Sequence, residues 1–211
     1  MKLCKLTDAN DVTRAGHDNA FQWGTDVCCE TSGEGDLCGP GWSHWYTDPL
    51  VAVLLNPIHG DYDLSTAHMW EGDDGGGKTL DDHGMKIGCT RGTTRRRVEL
   101  PAVTTEQRVR FGILCALEVE DDSKFRGWAA DWLSGRDRSE DTAHAAYAAT
   151  WAAGAAYAAY AAAVAAEGEA AYAAEEAAGA AWAAAGAARG RIDLIALAEQ
   201  AMNTEGEADG D

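Results

Sequence analysis

Residues Thr142–Ala188 read TAHAAYAATWAAGAAYAAYAAAVAAEGEAAYAAEEAAGAAWAAAGAA: alanine, broken by one larger or polar residue every three or four positions. Alanine has the best intrinsic helix propensity and no proline interrupts the run, so the stretch predicts a long helix or a helical hairpin. As one rod it would be about 70 Å long, at about 1.5 Å per residue. Projected at the helical period, His144, Tyr147, Trp151, Gly154, Tyr157, Tyr160, Val164, Tyr172, Gly179 and Trp182 fall on one broad half-cylinder. The opposite side is nearly pure alanine. The spacing of about 3.5 residues lies nearer a heptad than the straight-helix period. An alanine face buries little area per residue but lets another backbone approach closely, which predicts tight helix packing within the chain or between copies. Gly168 and Gly179 are the candidate breaks, and Gly190 is the expected end.

Upstream, two shorter helices lead into this run. Thr104 and Gln107 have capping-box spacing, and Val109, Ile113, Ala116 and Leu117 make an apolar stripe behind them. Asp122 or Ser123 can cap a second helix carrying Phe125, Trp128 and Trp132, with Gly135 placed to end it. SGRDRSED (134–141) is a polar connector. Downstream, IDLIALAEQAM (192–202) is a short amphipathic helix and the residues after it an acidic tail.

The first hundred residues are of a different kind. MKLCKLTD alternates like a strand, and LVAVLLNPIHG (50–60) is a short apolar helix stopped by Asn56-Pro57. AHMWE (67–71) and GMKIGCT (84–90) read as strands joined by a polar loop, and TRRRVELP (94–101) as another strand. The expected fold class is therefore α+β: a small antiparallel-sheet head (1–102), a helical pair with connector (103–140), the alanine-rich segment (141–190), a short amphipathic helix (191–203) and an acidic tail (204–211).

The formal net charge of the 211 residues is −18, divided evenly between residues 1–140 and 141–211. Such a surface repels phosphates, so direct nucleic-acid binding is not expected. It suits either solvation at high salt, as in a halophilic host, or contact with a basic protein. Lysine is scarce, five against twelve arginines. The N-terminus lacks the apolar core of a signal peptide, so secretion is not expected and the six cysteines are expected as reduced thiols. Residues 143–166 contain no Asp, Glu, Lys or Arg, but alanine is only marginally apolar and Glu167, Glu169, Glu175 and Glu176 follow, so no membrane span is expected.

Several motifs match patterns that carry chemistry in other proteins, and each also has a plainer reading. Gly72–Thr79, GDDGGGKT, fits the phosphate-loop pattern letter for letter, with Gly77, Lys78 and Thr79 as its cofactor-binding candidates. That motif works when a helix leads out of the loop. Here a turn and a strand follow, and Asp73 and Asp74 would repel phosphate, so a hairpin loop is the better reading and no cofactor is assigned. Cys28, Cys29, Cys38 and His44, with Cys89, are metal candidates without a C-x-x-C pair, which makes zinc a weak reading. No spacing ties a cysteine nucleophile to His44, His59 or His83. His44, between Trp42 and Trp45, suits either an aromatic-lined ligand pocket or a hydrogen-bonded place in a small aromatic core. Arg95, Arg96 and Arg97 alternate faces on a strand and are expected in local salt bridges.

Five blocks resemble segments of proteins encoded by phages and prophages: KLTD (5–8), GWSHWYTDP (41–49), the DHG hairpin (82–90), LPAVTTEQRVRF (100–111) and WLSGRDRS (132–139). With the closing IDLIALAEQAM and the Ala-Ala-Tyr repeats, the chain resembles that family along nearly its whole length. The family carries no assigned activity, so no catalytic residue comes with it. The resemblance implies a viral protein, in the virion or the host cytoplasm. The expected function is a non-enzymatic structural or interaction protein. Its alanine-rich helix would serve self-association or contact with another protein, through Tyr147, Trp151, Tyr157, Tyr160, Tyr172 and Trp182. The alternatives are a head that binds a small ligand or acts as an enzyme, and an acidic inhibitor of a host defence protein.

Overall fold

The fold is α+β, with antiparallel sheets first and helices after them. The computed structural model describes residues 1–150 and 152–203. The chain folds as two compact units, Met1–Ala102 and the residues from Val103 on.

The first unit holds β1 (Lys2–Thr7), β2 (Val12–Thr13), β3 (Phe21–Gln22), β4 (Val27–Glu30), β5 (Ser43–Trp45), α1 (Pro49–Leu54), α2 (Asn56–His59), β6 (His68–Asp73), β7 (Thr79–Asp81), β8 (Ile87–Cys89) and β9 (Arg91–Val98). One antiparallel sheet has the order β1-β6-β9-β4, a second β5-β8-β7, and β2 with β3 forms a small ribbon. A backbone bridge between Cys4 and Tyr46 ties the free edge of β1 to the end of β5. The strands read at 67–71 and 84–90 therefore do not pair with each other. β6 lies between β1 and β9, β8 lies between β5 and β7, and the intervening loop contributes a strand of its own.

Trp45 is the pivot of this unit, with no exposed surface. Two glycines make room for it: a methyl on Gly92 would lie 2.5 Å from its ring, and one on Gly72, at the β6 bulge, 2.9 Å. Leu3, Trp23, Cys29, Ile87 and Cys89 complete the cluster around it. Asp48 caps α1 by accepting from Leu50 and Val51 N–H, with Pro49 in the first turn. Asn56 opens α2 rather than ending a helix, and its side chain bridges to Tyr62. Asp11 gathers a polar cluster, accepting from Arg97, from Trp70 Nε1 at 2.9 Å and from His68 Nδ1 at 2.9 Å. Burial works against its charge, but these donors prevail and hold the carboxyl below the usual range.

The second unit contains α3 (Thr105–Leu117), α4 (Ser123–Leu133), α5 (Glu140–Ala149), α6 (Ala153–Ala166), α7 (Ala170–Ala188) and α8 (Leu194–Met202). The capping box of α3 is complete, and Asp122 caps α4. The alanine-rich stretch is neither one rod nor a simple hairpin: it forms three helices. Thr150, extended at φ −104°, ends α5. Gly168 at φ +88° turns the chain between α6 and α7, where no other residue would enter the left-handed region so readily. Gly179 is not a break; it lies within α7, and the Tyr157 ring packs 3.5 Å from where its methyl would be.

The alanine face packs inside the chain. The buried residues of α7 are all alanine, those of α6 alanine with Gly154 and Val164, and both helices pack on α3. Close approach is visible at Gly112, where an added methyl would lie 3.1 Å from the Ala177 backbone. Val109, Ile113, Phe125, Trp128 and Trp132 supply the large side chains of the same core. No helix among the described residues is long and apolar enough to cross a membrane.

Candidate functional site

A cleft of about 550 Å³ opens in the first unit, and one wall follows from strand alternation. On β1, Leu3, Lys5 and Thr7 share a face, so the alternation that places Leu3 against Trp45 also drives Lys5 inward. Lys5 is 6% exposed. Its Nζ donates to the His44 carbonyl at 2.5 Å and sits 4.8 Å from the Trp23 ring and 5.3 Å from Trp45. Among the described residues no carboxylate pairs with it. Burial pulls its pKa down to about 7.

The other walls bring polar groups from separate elements. Arg14, in the left-handed region just after β2, donates to the Gly39 carbonyl at 3.2 Å. Lys86 reaches Cys38 Sγ at 3.3 Å and pairs with Asp82 at 3.4 Å. His44 Nε2 lies 2.5 Å from the Leu37 carbonyl. A carbonyl only accepts, so Nε2 carries the proton and Nδ1 is left as the basic nitrogen. His59, from α2, shares a hydrogen bond with the Tyr46 hydroxyl through Nδ1 at 3.2 Å, while its buried Nε2 has no partner among the described residues. Burial lowers His44 to about 4 and His59 to about 3, and pushes the Tyr46 phenol up. At neutral pH both imidazoles are therefore uncharged. Phe21, Trp23, Trp42 and Tyr62 give the cleft flat apolar surface. The cleft thus joins cations, neutral imidazoles and aromatic rings in a chain of net charge −18.

Of Cys28, Cys29, Cys38 and His44, the last three line the cleft, but no metal-binding grouping includes any of the four among the described residues. Cys28 and Cys29 point to opposite faces of β4, one exposed and one buried. Gly77, Lys78 and Thr79 lie in a strand–turn–strand: β6 runs in and β7 runs out. Asp73 Oδ1 already accepts from Gly75 N at 2.9 Å, and Lys78 N donates to Thr90 Oγ1 at 2.8 Å. These two amides thus serve side chains of the same unit, and the loop leads into a strand, not a helix. The Arg95–Arg97 run pairs as expected, Arg95 with Asp26 and Asp73, Arg96 with Glu71 and Arg97 with Asp11.

In the second unit Tyr147, Tyr157, Tyr172 and Trp182 are exposed, whereas Tyr160 is half-buried against Tyr147, with ring centroids 5.4 Å apart. Trp151 lies outside the described residues, as does the tail from residue 204. Glu140, His144 and Glu167, which the sequence did not single out together, bring one ligand atom each within 4.8 Å of one another. They come from α5 and the end of α6, with His144 Nε2 3.7 Å from Glu140 and 3.4 Å from Glu167. Lys5, Arg14, His59 and Lys86 are cleft residues that no sequence motif marks as a group. Only the inward phase of Lys5 on an alternating strand could have signalled one of them.

No family model, curated protein or solved structure matches this chain.

Proposed function

We propose that the first unit binds a small anionic ligand with a flat unsaturated ring in the Lys5–Arg14–His59 cleft. One observation carries this reading: Arg14 lines the cleft beside aromatic rings, donating to the Gly39 carbonyl, and no carboxylate among the described residues pairs with it. An uncompensated guanidinium inside an acidic protein favours an anion there, and the aromatic surface favours a planar group beside it. A volume of about 550 Å³ suits a ligand of metabolite size. The test is a panel of aromatic carboxylates and phosphates, scored by thermal stabilisation of the full chain and by amide shifts around the cleft. A binder present at about a hundred times its Kd adds about 2.7 kcal/mol of stability. Arg14→Gln should remove that gain. If no aromatic anion shifts the cleft amides, the reading fails.

A second reading concerns the helical unit and rests on the exposed Tyr147, Tyr157, Tyr172 and Trp182. Large aromatics in water favour a protein contact, with a second copy or another partner. This accords with the phage-type interaction protein that the resemblance implies, in a virion or a host cytoplasm. Light scattering across protein concentration tests it, since Trp182→Ser with Tyr172→Ser should abolish any oligomer.

A further inference from the structure

We propose that Lys5 is a reactive amine that condenses with an aldehyde or ketone group of the anionic ligand, holding it as an imine. The inference rests on the cleft being a ligand site and adds the chemistry of that ligand: a carbonyl beside a carboxylate or phosphate.

An ammonium group is expensive to desolvate without a carboxylate, and a purely structural position on β1 would be filled more cheaply by Leu or Met. What surrounds Lys5 instead is Trp23 and Trp45, the thiols of Cys29 and Cys89, the Arg14 guanidinium and, among the described residues, one acceptor, the His44 carbonyl oxygen at 2.5 Å. Such surroundings favour the free amine, the form with a nucleophilic lone pair. With its pKa at about 7 instead of 10.5, the free-amine fraction near neutrality is on the order of a thousand times that of an ordinary lysine. Arg14 supplies a fixed positive charge for the ligand's anionic group. The buried, unpartnered Nε2 of His59 supplies a further polar contact in the same cleft.

The chemistry balances without an oxidant. The Lys5 nitrogen lone pair forms a bond to the carbonyl carbon, and the C=O π pair moves to oxygen. The nitrogen gives up a proton and the oxygen gains one, making a carbinolamine. Loss of that hydroxyl as water, with the second nitrogen proton, leaves the C=N bond.

The test uses the full chain, carboxybenzaldehyde as probe and borohydride to reduce the imine to a stable amine, with peptide mass mapping over all five lysines. The expected result is an adduct on Lys5 that forms roughly ten-fold or more faster than on exposed Lys2 and Lys78, because the free amine is the reacting form. The rate should be half-maximal near pH 7, following the lysine, and terephthalate, which lacks the carbonyl, should protect Lys5. Lys5→Arg should remove the adduct. Mapping the unmodified protein needs no variant, so a misfolded Lys5→Arg leaves the test intact. Modification of Lys2 and Lys78 ahead of Lys5, with terephthalate still bound, overturns the reactive lysine and spares the binding site. An adduct on Lys5 that terephthalate neither slows nor competes with overturns the binding site and the inference built on it.

Discussion

Replacing Lys5 with methionine removes a buried amine while keeping an unbranched chain of similar length, and its effect should depend on pH in a way that can be worked out. In the unfolded chain Lys5 titrates at its ordinary 10.5; in the folded protein burial brings it to about 7. Between those values the unfolded state binds more protons, so stability rises with pH. The folded state bears a penalty of about 4 kcal/mol near pH 7 that falls to about 2 kcal/mol near pH 9, a gain of about 2 kcal/mol. The groups around Lys5 do not mimic this. Guanidinium groups carry their charge in both states over this range. His44 and His59 are neutral in both states above about pH 7. Burial raises the thiols of Cys29 and Cys89, so their unfolded forms ionise first and they reduce stability above about pH 9, equally in both proteins. Hydrogen exchange in graded urea, followed by mass spectrometry on β1 and β9 peptides, reads the first unit alone. The wild-type profile should climb relative to Lys5→Met by about 2 kcal/mol between about pH 7 and about pH 9. Parallel profiles would mean that burial leaves the Lys5 amine near its ordinary value.

Three further outcomes are expected. The two buried imidazoles should make the first unit sensitive to acid: with folded values lowered to about 4 and about 3, their stabilisation is present above about 6.5 and lost as pH falls below it, and His59→Gln should flatten that loss in the same exchange experiment. Ala177→Leu, set against Gly112 where 3.1 Å already separates an added methyl from the backbone, should cost the helical unit about 1–3 kcal/mol in denaturant melts; a change under about 0.5 kcal/mol would contradict the close packing of α3 and α7. Trp182→Ser combined with Tyr172→Ser should leave that unit's stability within about 0.5 kcal/mol, since both side chains face water, and circular-dichroism melts would expose a hidden core role.

Local chemistry in the chain was enough to establish the fold class and many of the helix ends. The Thr104–Gln107 capping box, Asp122 ahead of Phe125, and Gly168 in the alanine run are signals that act within a few residues, and each functions in the folded protein as its spacing says. The alternation of MKLCKLTD likewise gave a strand where one stands. Which strands pair is a different matter. β6 and β8 are separated in sequence only by β7 yet belong to different sheets, because pairing depends on which faces bury together around Trp45, and nothing marks Gly72 and Gly92 as its neighbours until that ring is placed against them. The alanine face carried no instruction to pack within the chain or between copies; only the folded core, with Phe125, Trp128 and Trp132 filling the space beside it, decides for the interior. The cleft is the extreme case. Lys5, Arg14, His44, His59 and Lys86 come from five places along the first unit, and nothing in their spacing relates them. Burial by distant aromatic rings, a tertiary property, is what brings an ordinary lysine down to a pKa of about 7.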